Sequence, residues 1–219
     1  MYKLYGRNTV FRRLRYGNTN TYYIDCPGGG LLVDTDYAGT LQGFFRAAKS
    51  EGIDIRNIRY LLCTHYHPDH MGIAGDLQKL GIRLVIADVQ KDSVHFSDEL
   101  FSRERRLSFT PVNEDEAVII STAESRSFLA AIGLEGEVVS VKSHSDDSIC
   151  LVLDSGECIA GDLEPLEYIG AYEDNQALRS DWKSIMSFSP RKILFSHRPD
   201  RDLEDDSLTE FLATPDPKS

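Results

Sequence analysis

Alternating apolar and polar positions open the chain. Val10 to Arg15 and Asn20 to Asp25 read as strands around the turn residues Gly17 and Asn18, and Gly28-Gly29-Gly30 turns into a third apolar run, Leu31 to Asp34. These three predict an antiparallel meander. The glycine triplet precedes a strand, so it lacks the helix N-terminus that would make it a phosphate loop and is a hairpin turn. Helical spacing follows in Leu41, Phe44, Phe45 and Ala48, predicting a helix over 38–51 stopped by Gly52. Arg59 to Cys63 is a buried strand, His70 to Leu80 a helix closed by Gly81, and Arg83 to Ala87 another strand. Gly72 lets that helix pack closely. This alternation of strand and helix defines an α/β chain.

The pattern weakens over 88–115. Lys91 to Phe101 has faint helical spacing, 102–106 is basic and 109–116 acidic, as in a segment lying over a site. Phe96, Phe101 and Phe109 line an apolar pocket or anchor the loop, and His95 is a surface residue. Ser121-Thr122-Ala123-Glu124 has the capping-box form ahead of the short helix through Phe128 to Ile132. Gly136 to Val141, Ser148 to Leu153 and Glu157 to Ala160 read as three strands, Asn175 to Phe188 as a helix, and Lys192 to Phe195 as a last strand.

Composition narrows the class. With 219 residues, 41% of them hydrophobic, the chain can build one sizeable core. A net charge of −11 argues against nucleic acid or an anionic membrane as partner, since both need a basic surface. No apolar run reaches membrane-spanning or signal-peptide length, so a cytoplasmic protein is expected, with a homo-oligomer compatible. Cys26, Cys63, Cys150 and Cys158 form no C-x-x-C pair and read as reduced, structural residues.

The chemistry is concentrated in Thr64-His65-Tyr66-His67-Pro68-Asp69-His70. In an extended segment His65 and His67 point to the same side, so one metal can take both. Pro68 turns the chain and lets Asp69 and His70 face the same region, beside a second metal position. Three desolvated imidazoles would be a costly helix cap, and composition alone does not produce such density. Further along, His144, Asp162 and His197 stand at strand ends, where loops from distant sequence converge. Asp34 is open between a helix cap and a partner for the free N–H of a ligating histidine.

These residues resemble the metallo-β-lactamase superfamily of binuclear hydrolases. Its H-x-H-x-D-H motif matches His65, His67, Asp69 and His70; its later loop histidine is His144, its aspartate after a strand Asp162, and its final histidine His197. The resemblance implies an αβ/βα four-layer sandwich, two mixed β-sheets packed face to face with helices on both outer sides. It implies one such domain over 1–212, with 213–219 a flexible tail. It implies two divalent ions, zinc first and iron or manganese compatible. His65, His67 and His144 would hold one, Asp69, His70 and His197 the other, and Asp162 would bridge them. A metal-bound hydroxide would then cleave a small ester, thioester or lactone, with Asp69 catalytic as well as ligating.

Subfamily features point further. Family β-lactamases have Cys or Ser near the position of Asp162, which counts against β-lactam hydrolysis. Glyoxalase II enzymes add a C-terminal helical region, whereas 22 residues follow His197. Quorum-sensing lactonases use a tyrosine after the bridging aspartate, and Tyr168 and Tyr172 lie nearby at different offsets. Phosphodiesterases are the alternative, in which Arg198 and Lys142 meet a phosphate or carboxylate. A mononuclear iron oxygenase is the rival of a different class. The substrate is expected to be a small molecule, contacted by Tyr168, Tyr172 and Arg198.

Overall fold

The computed structural model describes residues 11–104, 106–170 and 175–203. Among them eleven strands form two sheets. The first orders β1 (Phe11–Arg15), β2 (Asn20–Ile24), β3 (Gly30–Val33), β4 (Ile58–Leu62), β5 (Arg83–Ala87) and β6 (Val118–Ile120) in sequence. The second runs β11 (Arg201–Asp202), β10 (Lys192–Phe195), β9 (Glu157–Gly161), β8 (Ile149–Leu153) and β7 (Gly136–Ser140). β1 to β3 are the expected antiparallel meander, while β3 to β6 run parallel, as do β9 and β10. Both sheets are therefore mixed.

Period-two alternation explains how the layers stack. In β8, Ile149, Leu151 and Leu153 face the first sheet's Ile24, Leu31, Val33, Leu62 and Val85, filling the space between the sheets. Its other residues, Cys150 and Val152, face α6 (Gln176–Met186) through Leu178, Trp182, Ile185 and Met186. On the outside of the first sheet, Leu32, Leu61, Leu84 and Ile86 meet Phe44 and Ala48 of α1 (Leu41–Ser50), Met71 of α2 (Pro68–Met71), and Ala74 and Leu77 of α3 (Ala74–Lys79). Helix, sheet, sheet and helix make the four-layer αβ/βα sandwich. Strands covered on both faces are uninterrupted apolar runs, as β8 shows.

Local departures have local causes. The helix expected over 70–80 is two pieces, broken at Ile73 (φ −115°), while Gly72 permits the close packing expected of it, since a Cβ there would come within 2.3 Å of the Ala38 nitrogen. The helix expected over 38–51 starts only at Leu41, after Gly39 in the left-handed region (φ +83°). The Ser121/Glu124 capping box does not form: 122–124 is a 3-10 turn and α5 (Ser125–Ala131) begins behind it. Ser125 Oγ instead donates to Thr122 O and accepts from Val138 N. The weakly patterned segment resolves into a 3-10 helix over Asp88–Ser93 and α4 (Asp98–Arg103). Phe101 is in the core with the partly buried Phe109 packed on it, 4.4 Å between centroids, whereas Phe96 is exposed. All four cysteines are buried free thiols. The tail over 213–219 and Tyr172 lie outside the described residues.

Candidate metal centre

The carboxyl ends of β3, β4, β5, β9 and β10 open on one edge of the sandwich, and the seven anticipated His and Asp residues gather there. Cross-sheet hydrogen bonds lock this edge: Ile149 N donates to Thr64 O at 2.8 Å and Asn20 N to Ser196 O at 2.8 Å. Gly161, at φ +58°, closes the contact, since a Cβ there would sit 2.6 Å from Thr64 Oγ1.

Three ring nitrogens form a triangle. His65 Nε2 lies 3.0 Å from His67 Nδ1, and His144 Nε2 lies 3.1 Å from each. Neutral imidazoles facing one another so closely cannot all donate, and the lone pairs left pointing inward are what a cation relieves. Bonds of about 2.0–2.1 Å reach three nitrogens at this spacing. A second group is Asp69, His70 and His197: His197 Nε2 is 3.2 Å from Asp69 Oδ2 and 3.3 Å from His70 Nε2.

Asp162 joins the two groups. Its Oδ2 lies 3.4 Å from His70 Nε2, 3.7 Å from His144 Nε2 and 4.0 Å from His65 Nε2, while Oδ1 is 3.4 Å from His197 Nε2. Oδ1 is buried and accepts no hydrogen bond among the described residues. A buried carboxylate oxygen without a donor, set between imidazoles, fits a cation shared by both groups. The donor set is imidazole and carboxylate without thiolate, which suits zinc, iron and manganese alike.

The charges follow from the packing. Burial pushes the His65 imidazole far below its ordinary pKa, and the surrounding histidines add to it, so the ring is neutral and its lone pair is available. Burial also lowers His144. At His70 burial opposes the charged ring, but Asp34 and Asp162 outweigh it and hold the pKa up at about 10. The hydrogen bond from His197 holds the Asp69 carboxyl down at about 2 and raises His197 in turn. At Asp162 burial disfavours the carboxylate, yet the bond from His70 and the neighbouring imidazoles prevail and lower its pKa.

Supporting residues orient these rings. Asp34, fully buried, takes the role of histidine partner: its Oδ2 is 3.0 Å from His70 Nδ1, which leaves Nε2 to face the site. The same carboxylate accepts from Thr64 N at 2.6 Å, Thr64 Oγ1 at 3.0 Å and Ser196 Oγ at 3.0 Å. Asn18 O lies 3.2 Å from His197 Nδ1. Asp36 accepts from Thr19 N and Tyr37 N, and Thr19 Oγ1 donates to Asp69 O. Three positioning residues had no distinctive sequence signal. Buried Gln90 donates through Nε2 to Cys63 O at 2.9 Å and Asp147 O at 3.2 Å, Asp147 accepts from Tyr66 N at 2.8 Å, and Asp181 accepts from Lys142 N and Ser143 N. Gln90 and Asp147 hold the His65–His70 loop against the His144 loop, and Asp181 ties the His144 loop to α6.

A cleft of about 240 Å³ opens beside the cluster, lined by His144, Asp162, Glu164, His197 and Arg198 among others. Arg198 lies over Tyr168, its Cζ 5.2 Å from the ring centroid and its Nη1 donating to the phenol oxygen at 3.4 Å. Lys142 is exposed, and His95 is paired at the surface with Asp98 and Glu114.

A sandwich of two mixed sheets with a His/Asp cluster at one edge defines a class, and the sequence matches it: a model of the metallo-β-lactamase superfamily covers residues 14–197, and the chain belongs to that superfamily. Among known proteins it is similar to a beta-lactamase-like protein 2 homolog of Drosophila melanogaster, 24% identical over 179 residues, 82% of this chain. The chain spans 58% of that relative's length. Similar solved structures include a metallo-beta-lactamase family protein from Thermus thermophilus, at TM-score 0.69 and 18% identity, covering 93% of this chain and 78% of that one. Another is the peroxy diiron species of the chemotaxis sensor ODP, at TM-score 0.62 and 19% identity, covering 95% and 91%. The metallo-beta-lactamase MIM-1 of Novosphingobium pentaromativorans follows at TM-score 0.59 and 18% identity, covering 84% and 76%. At these identities the likeness concerns the fold. Among the described residues no helix is long and apolar enough to cross a membrane.

Proposed function

We propose that the protein is a metal-dependent hydrolase acting on a small ester, thioester or lactone. One observation carries this reading: Asp162, with an oxygen lacking any donor among the described residues, stands between two His-rich groups at the mouth of a cleft. In this reading His65, His67 and His144 hold one divalent ion, Asp69, His70 and His197 the other, and Asp162 both. Bound there, two ions would supply a water acidified to a pKa of about 7 and a Lewis acid for the substrate oxygen.

The chain's own residues do the rest. Asp34 fixes the His70 ring so that Nε2 faces the cleft, and buried neutral His65 offers its lone pair without first losing a proton. Asp69 is anionic throughout the neutral range, and Asn18 O at His197 Nδ1 leaves His197 Nε2 to face the same position. The cleft size suits a small molecule, and the acidic chain suits no polyanion. Asp162 disfavours the β-lactam reaction.

A second reading, oxygen chemistry at iron, has one observation behind it: imidazole and carboxylate donors without thiolate accommodate iron as readily as zinc. Phosphodiester hydrolysis is the alternative within the hydrolase class. Metal analysis of the purified chain, with assays of a p-nitrophenyl ester, a thioester, a lactone panel and bis-p-nitrophenyl phosphate, separates the readings. Two zinc or manganese ions per chain with turnover of the ester or lactone is the expected result. Iron with no hydrolysis of any substrate would overturn it.

A further inference from the structure

Two features adjoin the cluster, one beside His197 and one beside His67. On the His197 side, Arg198 lines the cleft, and its guanidinium is held in place by the Tyr168 ring and hydroxyl. Among the described residues no carboxylate lies within ion-pair distance of it, although the chain carries a net charge of −11; Glu164 lines the same cleft without pairing with it. A guanidinium stacked on an aromatic face is oriented at little further entropic cost and presents a planar fork to an oxyanion. On the His67 side, the Phe96 ring packs against His67, 5.7 Å between centroids, and yet is 67% exposed. A large apolar side chain touching a ligand ring while facing solvent is a surface for an apolar group to cover.

We propose that the substrate is amphiphilic: it carries an oxyanion, carboxylate or phosphate, that pairs with Arg198, and an apolar arm that lies on Phe96, with the bond to be cut between them. This rests on the His/Asp cluster being the reaction centre. It extends the hydrolase reading by assigning the two arms of the substrate.

Inert ligands test it without turnover. The zinc-loaded full chain is titrated calorimetrically with N-hexylsuccinamate, its uncharged diamide analogue, and hexyl phosphate. At least one of the two anions should bind about 10-fold tighter than the diamide, as for a charge-assisted contact, and whichever gains more identifies the oxyanion. Arg198→Met should abolish that advantage, and Arg198→Lys should restore part of it. Phe96→Ala should weaken all three ligands severalfold. Equal binding of anions and diamide, or an anion advantage that survives Arg198→Met, would refute the Arg198 arm. Unchanged affinities in Phe96→Ala would refute the apolar arm. Failure of every ester to be hydrolysed bears on the hydrolase reading alone, because these ligands report binding.

Discussion

Asp34 Oδ2 and His70 Nδ1 lie 3.0 Å apart, both residues fully buried, and Asp34 reaches this contact from the left-handed region at φ +62°. A backbone conformation costing about 1–3 kcal/mol in a non-glycine residue is held by four hydrogen-bonded contacts to one carboxylate. Asp34→Asn keeps the volume and loses the charge. Metal affinity in that variant should fall by about 10- to 100-fold, as for other partners of ligating histidines, which a competitive titration against a chromophoric chelator would read. An affinity equal to wild type would remove Asp34 from the site.

Asp162→Ala removes the one carboxylate near both groups. Oδ1 leaves no donor behind and His70 keeps its contact with Asp34, so the fold should survive, while in the proposed reading metal stoichiometry drops from two ions to one and turnover falls by about 10²-fold or more. Inductively coupled plasma analysis beside circular dichroism checks both halves.

Asp69→Ala should abolish hydrolysis and leave the melting temperature of the metal-free chain close to wild type, since the side chain is partly exposed and its hydrogen bond to His197 lies at the surface of the cluster. Retained activity would show that Asp69 is neither ligand nor catalytic.

Gln90→Ala tests the joint beneath the site. It leaves the carbonyls of Cys63 and Asp147 and the amide of Ala87 without these partners, a loss of about 1–3 kcal/mol. Urea denaturation should register that loss. In the proposed reading, an ion at His65, His67 and His144 should also weaken more than the other, because those loops are the ones Gln90 ties together.

The pH dependence of the metal-free chain follows from His70. Its folded pKa of about 10 lies above the unfolded value of about 6.5. The stabilisation is therefore fully present below a pH of about 6.5 and is lost as pH rises through about 10. Chelator-treated protein should melt at progressively lower temperature across that window, and Asp34→Asn should flatten the slope. An unchanged slope in the variant would contradict the pairing.

The five histidines were legible because histidine is scarce here, six in the whole chain, and three of them fall within residues 65–70, whereas Asp69 and Asp162 were legible only by their places beside those histidines and at a strand end. The two-sheet core was legible from period-two alternation. Other features depend on contacts that no local pattern carries. Gln90 reads as an ordinary loop residue until β4 and the His144 loop surround it. The break between α2 and α3 falls at Ile73, whose backbone leaves the helical region, and apolar spacing gives no sign of it. β6 has three residues, behind an acidic loop, and owes its place to pairing with β5. For Asp34, local sequence left cap and histidine partner equally open; the arrival of His70 and Ser196 from distant segments decided it.

The clustered residues are divided between the two sheets: His65, His67, Asp69 and His70 follow β4, whereas His144, Asp162 and His197 belong to the second sheet's loops and strand ends. An ion gripped from both sides would act as a rivet through the sandwich, since neither sheet alone presents a complete set. Such an ion binds only the docked state and stabilises it by about 2.7 kcal/mol at a free concentration about 100 times its dissociation constant. Metal supply would thus set how firmly the two sheets stay docked as well as activity, and a chelator that silences the site would loosen the sandwich in the same act.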